Sequence, residues 1–82
     1  MAVWYDPGMA HDRIEIRAGV MVGKPVIKGT RITVEHILRE CASGMSPDEF
    51  ADQYPSVTAD DVRAALAYAA DVLRGKIVFA AE

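Results

Sequence analysis

The sequence predicts a mainly α protein, a trihelical bundle preceded by short N-terminal β-strands. Three segments with helical signals each follow a capping residue, and one short segment before them alternates between apolar and charged side chains. With 82 residues the chain suffices for one domain with a small core. We divide it into an N-terminal extension (1–12), a trihelical domain with an N-terminal hairpin (13–74) and a C-terminal tail (75–82).

The two strands are predicted from alternation and from the turn residues between them. Residues 13–17 place Ile14 and Ile16 on one side and charged residues on the other, which is typical of a short strand with one buried face. Glycine and proline then mark a turn region, and Val26 with Ile27 predicts a second strand.

The first two helices have clear starts and stops. Thr33 suits the N-cap of helix one, and Gly44 suits its end. The apolar stripe between them consists of Val34, Ile37, Leu38, Cys41 and Ala42. Helix two begins with the capping box at 46–49 and stops at Pro55.

Helix three is the longest of the three predicted helices. Thr58 and Asp61 form its cap signature, and Gly75 ends it. Its stripe consists of Val62, Ala65, Leu66, Ala69, Val72 and Leu73. The last two helices therefore have helix-turn-helix proportions, although any small three-helix bundle shares this layout.

The charge distribution limits how this protein could bind DNA. A net charge of −3 excludes a protein that coats nucleic acid by charge alone. Residues 1–31 have a surplus of basic side chains, whereas Asp60 and Asp61 at the start of helix three would repel phosphate. The predicted DNA contacts therefore come mainly from this basic N-terminal part of the chain. For each of them, the alternative is a side chain that is simply exposed to solvent. The predicted contacts are Arg13, Lys24, Lys28, Thr30, Arg31 and Arg63.

The sequence predicts neither a catalytic site nor a metal site. A single cysteine, Cys41, excludes a disulfide framework and a multi-cysteine zinc site, and His11 and His36 are far apart in the chain. The glycine-rich segment 19–25 lacks the spacing and the hydroxyl residue of a phosphate-binding loop. Since no signal peptide or membrane-length apolar run is visible, we expect a cytoplasmic protein without cofactor or enzymatic activity.

A long motif runs through the predicted domain. It begins with Gly-Lys-Pro-Val-Ile-Lys-Gly-Thr-Arg-Ile at 23–32, continues with Tyr-Pro at 54–55 and ends with Ala-Ala-Leu-Ala-Tyr-Ala at 64–69. With these motifs, residues 13–73 resemble the domain-of-unknown-function 433 family. The resemblance implies a homeodomain-like trihelical fold and the role of a VapB-type antitoxin in a type II toxin–antitoxin pair. It also implies a PIN-like ribonuclease toxin as the partner.

The motif has a physical reading of its own. Gly23 and Gly29 permit positive φ, as a tight reversal between two short strands requires. Arg31, directly before helix one, could bind a phosphate or a carboxylate in a bidentate way. Alternatively, Arg31 pairs with Glu35 or another acidic residue of its own domain.

Both ends of the chain carry apolar side chains that a small core need not accommodate. We predict partner-binding residues at the two ends: Trp4, Tyr5, Arg74, Lys76, Ile77, Val78 and Phe79. In an antitoxin, the segment 74–82 would pack on the toxin or on a second antitoxin chain. Alternatively, its apolar run folds back as a strand beside Ile14 and Ile16.

Three functions remain open from the sequence. The first is a toxin-neutralising module, a homodimer that also represses its own operon through operator DNA. The second is a stand-alone DNA-binding transcription regulator without a toxin. The third is an adaptor that binds another protein and no DNA.

Overall fold

A computed structural model describes residues 11–75 and contains three helices and a two-stranded antiparallel sheet. The elements are β1 (Ile14–Glu15), β2 (Val26–Ile27), α1 (Val34–Ala42), α2 (Pro47–Gln53) and α3 (Ala59–Leu73). The predicted fold class, a mainly α trihelical domain preceded by short strands, is therefore confirmed. Over the described residues, no helix has the length and apolar character that a membrane span requires.

The capping hydrogen bonds of the helices lie at the N-termini that the sequence predicts. The Thr33 hydroxyl accepts a hydrogen bond from the backbone N–H of His36 at 2.9 Å, which caps α1. In α2, the Glu49 N–H donates to the Ser46 hydroxyl at 3.1 Å, and the Ser46 N–H donates to the Glu49 carboxylate at 2.8 Å. Gly44 follows α1 with φ +108°, a conformation that disfavours side chains with a Cβ.

The sheet is shorter than the predicted strand over 13–17. Its ladder pairs Ile14 with Ile27 and Glu15 with Val26, and the described part of β1 extends no further. In this register the next position opposite Ile16 is Pro25, which has no N–H to donate to a ladder. Ile16 is therefore only half-buried, whereas Ile14 lies fully in the core.

The connection between β1 and β2 is not the tight reversal that the sequence predicts. It spans residues 16–25 and contains a 3₁₀ turn in which Met21, Val22 and Gly23 all have positive φ. Gly29 also has positive φ, at +81°, but it turns the chain after β2. The backbone conformation predicted for the two glycines is correct, and the single reversal between the strands is wrong.

The core forms where the three helices meet the sheet. Its buried hydrophobic residues are Ile14, Val26, Ile27, Val34, Ile37, Phe50, Val57, Val62, Ala65 and Tyr68. The predicted stripe of α3 is wrong at its end, because Leu73 is 87 % exposed and Tyr68 is buried instead. Leu73 is the last residue of α3, and no described element covers it. In α1, Leu38 is 37 % exposed and Ala42 is also exposed.

Candidate macromolecule-binding surfaces

The acidic residues at the N-terminal end of α3 form their contacts within the domain. Asp61 completes a capping box with Thr58, and its carboxylate also accepts a hydrogen bond from Arg13 at 2.8 Å. Asp60 pairs with Arg63 at 2.9 Å, one turn along the helix. Arg13 and Arg63, two of the predicted phosphate contacts, are therefore already bound to carboxylates of α3.

The pKa of Asp61 reflects these contacts. Partial burial raises this pKa, but the hydrogen bonds from Thr58 and Arg13 outweigh burial and bring it below the usual value of 3.8. A carboxyl whose pKa is lowered on folding stabilises the protein above its unfolded pKa, and this stabilisation is lost as the pH falls through the folded pKa. Asp61 should therefore stabilise the neutral protein and contribute less in acid.

We expect Asp61→Asn to lower the free energy of unfolding by about 1 kcal/mol at pH 7. Because asparagine cannot titrate at this position, the difference between wild type and variant should shrink as the pH falls below 3.8. Urea denaturation at pH 7 and at about pH 3 measures both effects. Asp60→Asn is the matched control, since Asp60 is exposed and lies outside the capping box, and should change stability little. A difference for Asp61→Asn that grows in acid would contradict the expectation.

Glu35, in the first turn of α1, pairs with two basic side chains. Its carboxylate accepts hydrogen bonds from Lys24 at 3.0 Å and from Arg39 at 3.1 Å. The hydrogen bond from Lys24, followed by that from Arg39, holds the pKa of Glu35 below its usual value. The alternative in which Arg31 pairs with Glu35 is therefore wrong: Lys24 and Arg39 take the two carboxylate oxygens.

The loop between β2 and α1 contains the remaining predicted DNA contacts. The Thr30 hydroxyl donates to the Ile27 carbonyl at 2.9 Å and accepts from the Ile32 N–H at 3.0 Å, so it serves the turn. Lys28 and Arg31 are exposed, and neither forms an ion pair with any residue among 11–75. Of the five predicted cations, these two keep their charge available for an external anion.

Arg31 lies at a concave surface of about 430 Å³, which we call the basic depression. It is lined by Met21, Arg31, Ile32, Thr33, Glu35, His36, Arg39 and Tyr54. His36 Nε2 lies 3.0 Å from the Tyr54 hydroxyl, and the Tyr54 ring stacks on buried Phe50 with 4.5 Å between ring centroids. Tyr54 thus anchors the lining of the depression to the core, and the exposed Arg31 presents a guanidinium group suited to a carboxylate or a phosphate.

A second concave surface, of about 350 Å³, lies between α1 and α3, and we call it the apolar groove. It is lined by Lys24, Pro25, Val34, Glu35, Leu38, Tyr68, Ala69, Val72 and Leu73. Sequence reasoning missed this surface because it assigned Leu38 and Leu73 to core stripes. The apolar spacing of a helix shows which residues share a face, but not how far neighbouring elements cover that face.

His11 also escaped the sequence prediction. It is buried, its Nε2 lies 2.8 Å from the Asp71 carboxylate, and its ring meets that of Tyr68 edge-on at 5.5 Å. This contact joins residues 60 positions apart, so no local sequence pattern predicts it. Within the described chain, no group of three or more histidine, cysteine or acidic side chains could hold a metal ion. Cys41 is half-buried against the core.

The predicted partner-binding residues fall mostly beyond this structure. Arg74 is exposed at the C-cap of α3 and forms no ion pair within residues 11–75. The other predicted partner-binding residues lie outside the described range: Trp4, Tyr5, Lys76, Ile77, Val78 and Phe79.

This chain is similar in sequence to a known family and to a known relative. Residues 14–69 match the family described as "Protein of unknown function (DUF433)". The chain is 32% identical over 72 residues, or 87% of its length, to the uncharacterized protein y4eO of Sinorhizobium fredii (strain NBRC 101917 / NGR234). It spans only 33% of that protein.

A solved structure supports the same assignment. The crystal structure of a DUF433 member protein from Anabaena variabilis ATCC 29413 matches with a TM-score of 0.66 and 35% sequence identity. The match covers 73% of this chain and 59% of the crystallised chain. Because the family match spans more than half of the sequence and the fold agrees, this protein belongs to the DUF433 family.

Proposed function

We propose that this protein is the antitoxin of a type II toxin–antitoxin system and that it neutralises a PIN-like ribonuclease by direct binding. In this proposal it has no enzymatic activity of its own and also represses its operon. The observation that supports it best is the exposed Arg31 at the rim of the basic depression, where Glu35 is taken by Lys24 and Arg39.

The charge arithmetic of the depression favours an acidic partner. Among the lining residues, the negative charge of Glu35 is paired with Arg39, and Arg31 adds a further positive charge. Lys24, outside the lining, also pairs with Glu35. A guanidinium offers two parallel N–H donors to a carboxylate, and such charge-assisted bonds are stronger than neutral ones. A PIN-like nuclease, the partner implied by the resemblance, gathers acidic residues around its metal ions. We therefore infer that Arg31 faces carboxylates of the toxin.

Replacing Arg31 with alanine removes this guanidinium and is expected to weaken the toxin complex roughly ten- to a hundredfold. The experiment co-expresses the chain with the product of a neighbouring PIN-like gene, scores growth rescue and measures affinity for the purified toxin. Arg63→Ala is the matched control for Arg31→Ala, because Arg63 is equally an exposed arginine but pairs with Asp60 on α3. Equal affinity of both variants and wild type would contradict the proposal.

A second candidate function, DNA binding without a toxin, is favoured by the position of Lys28. Lys28 and Arg31 flank one turn and are the two basic side chains among the predicted DNA contacts that form no ion pair in the described chain. Under this reading, Lys28→Ala weakens operator binding and reduces its dependence on salt by about one released ion. Specific operator binding by a chain that binds no PIN-like toxin would favour this candidate over the first. No operator binding at moderate salt would reject this second candidate.

A further inference from the structure

The apolar groove has two exposed leucine side chains among its lining residues. Leu73 is 87 % exposed at the end of α3, and Leu38 on α1 is 37 % exposed on the same surface. The walls between them are formed by Pro25, Val34 and Val72. Exposed apolar side chains around one concavity make this groove a candidate interaction surface.

We propose that the apolar groove is the interface of a symmetric homodimer, with a second copy of this chain as its occupant. The same surface carries both a protruding leucine, Leu73, and a concavity of about 350 Å³ that could receive one. A two-fold axis joins a patch to its own copy, so a patch with both a projection and a recess is complementary to itself. Leu73 of each chain then inserts into the groove of the other.

The charges on the rim favour a second copy over other partners. Lys24 and Glu35 both line the groove and lie 3.0 Å apart, so the rim carries one positive and one negative charge. When the two-fold axis passes between the rim residues, Lys24 of each copy faces Glu35 of the other, which gives four alternating charges. A partner of a single charge sign could pair with only one of the two rim residues.

This inference does not depend on the proposed function. The leucines that carry it, Leu38 and Leu73, do not line the basic depression, and a chain without a toxin would dimerise equally. Loss of toxin binding in Arg31→Ala would leave the dimer intact. Loss of the dimer in a Leu73 variant would leave Arg31 exposed at the basic depression.

The first test measures self-association of the full chain by sedimentation equilibrium. Leu73→Glu buries two carboxylates per dimer in place of two leucines, so the dissociation constant should rise at least about a hundredfold. Because Leu73 is exposed in the isolated chain, the helical circular dichroism of the variant should match that of wild type. Val22→Glu is the matched control, since Val22 is 92 % exposed and does not line the groove, and it should dimerise as wild type does.

The second test exchanges the rim charges between chains. Lys24→Glu alone and Glu35→Lys alone each oppose like charges across the two-fold axis, so both variants should dimerise more weakly than wild type. When the two variants are mixed, opposite charges face each other again, and heterodimers should exceed the share expected from random pairing. The pair within each chain stays broken in the mixture, so this rescue can only come from contacts between chains.

Two outcomes would overturn the inference. A wild-type chain that stays monomeric at about 100 μM would show that the groove does not join two copies. A dimer unaffected by Leu73→Glu would use another face. In that second case, loss of the dimer on deletion of residues 76–82 would place the interface in the tail.

Discussion

Replacing Phe50 with alanine is expected to lower the free energy of unfolding by about 3–5 kcal/mol. Phe50 is completely buried on α2, and its ring stacks on Tyr54 and lies 5.9 Å from the ring of His36. Alanine would leave a cavity at the point where α2 meets the rest of the core. Since small domains are only marginally stable, a large fraction of the molecules should be unfolded. Urea denaturation followed by circular dichroism would measure this loss of stability.

Phe50→Leu is the control for this prediction, because leucine fills part of the cavity and should cost much less. Tyr54 and His36 line the basic depression, so Phe50→Ala should also weaken binding at that surface, even in the chains that remain folded. A loss of less than about 1 kcal/mol for Phe50→Ala would mean that the ring is not a central part of the core.

Replacing Ile14 with alanine is expected to cost about 2–5 kcal/mol. Ile14 is fully buried in the core and pairs with Ile27 in the sheet, so its side chain joins the sheet to the helices. The loop with Lys28 and Arg31 follows β2 directly. We therefore expect Ile14→Ala to weaken anion binding at the basic depression as well, and thermal unfolding with a parallel affinity measurement would detect both effects.

Ile14→Val provides a graded comparison, with an expected cost of about 0.5–1.5 kcal/mol. If the hairpin were a loosely attached appendage, Ile14→Ala would instead leave global unfolding unchanged and only increase hydrogen exchange in β1 and β2. That outcome would contradict the view that β1 is part of one cooperative core.

The helix starts were accessible from sequence because each depends on residues three positions apart. The pairs Ser46–Glu49 and Thr58–Asp61 bond within a single turn, whatever the rest of the chain does. The length of β1 was less accessible, since it depends on a register that places Ile16 opposite Pro25. The same contrast applies to α3, where Leu73 shares the spacing of core residues but lies beyond the elements that would cover it.

The candidate surfaces required more of the tertiary structure than the helices did. Sequence reasoning identified Arg31 as a basic residue before α1, but left its partner open. Only the fold brings Lys24 to Glu35 from 11 positions away, and that contact leaves Arg31 available. The ion pair between Arg13 and Asp61, which spans 48 positions, likewise removes a predicted phosphate contact.

For this protein, the sequence by itself determined the order of the elements, the helix caps and the family, because these depend on short-range bonds and on a motif read along the chain. The tertiary structure alone decided which charges neutralise one another and which leucines remain exposed. The physical reason is that ion pairs and burial depend on distances in space, and those distances exist only once α1, α3 and the hairpin have packed together.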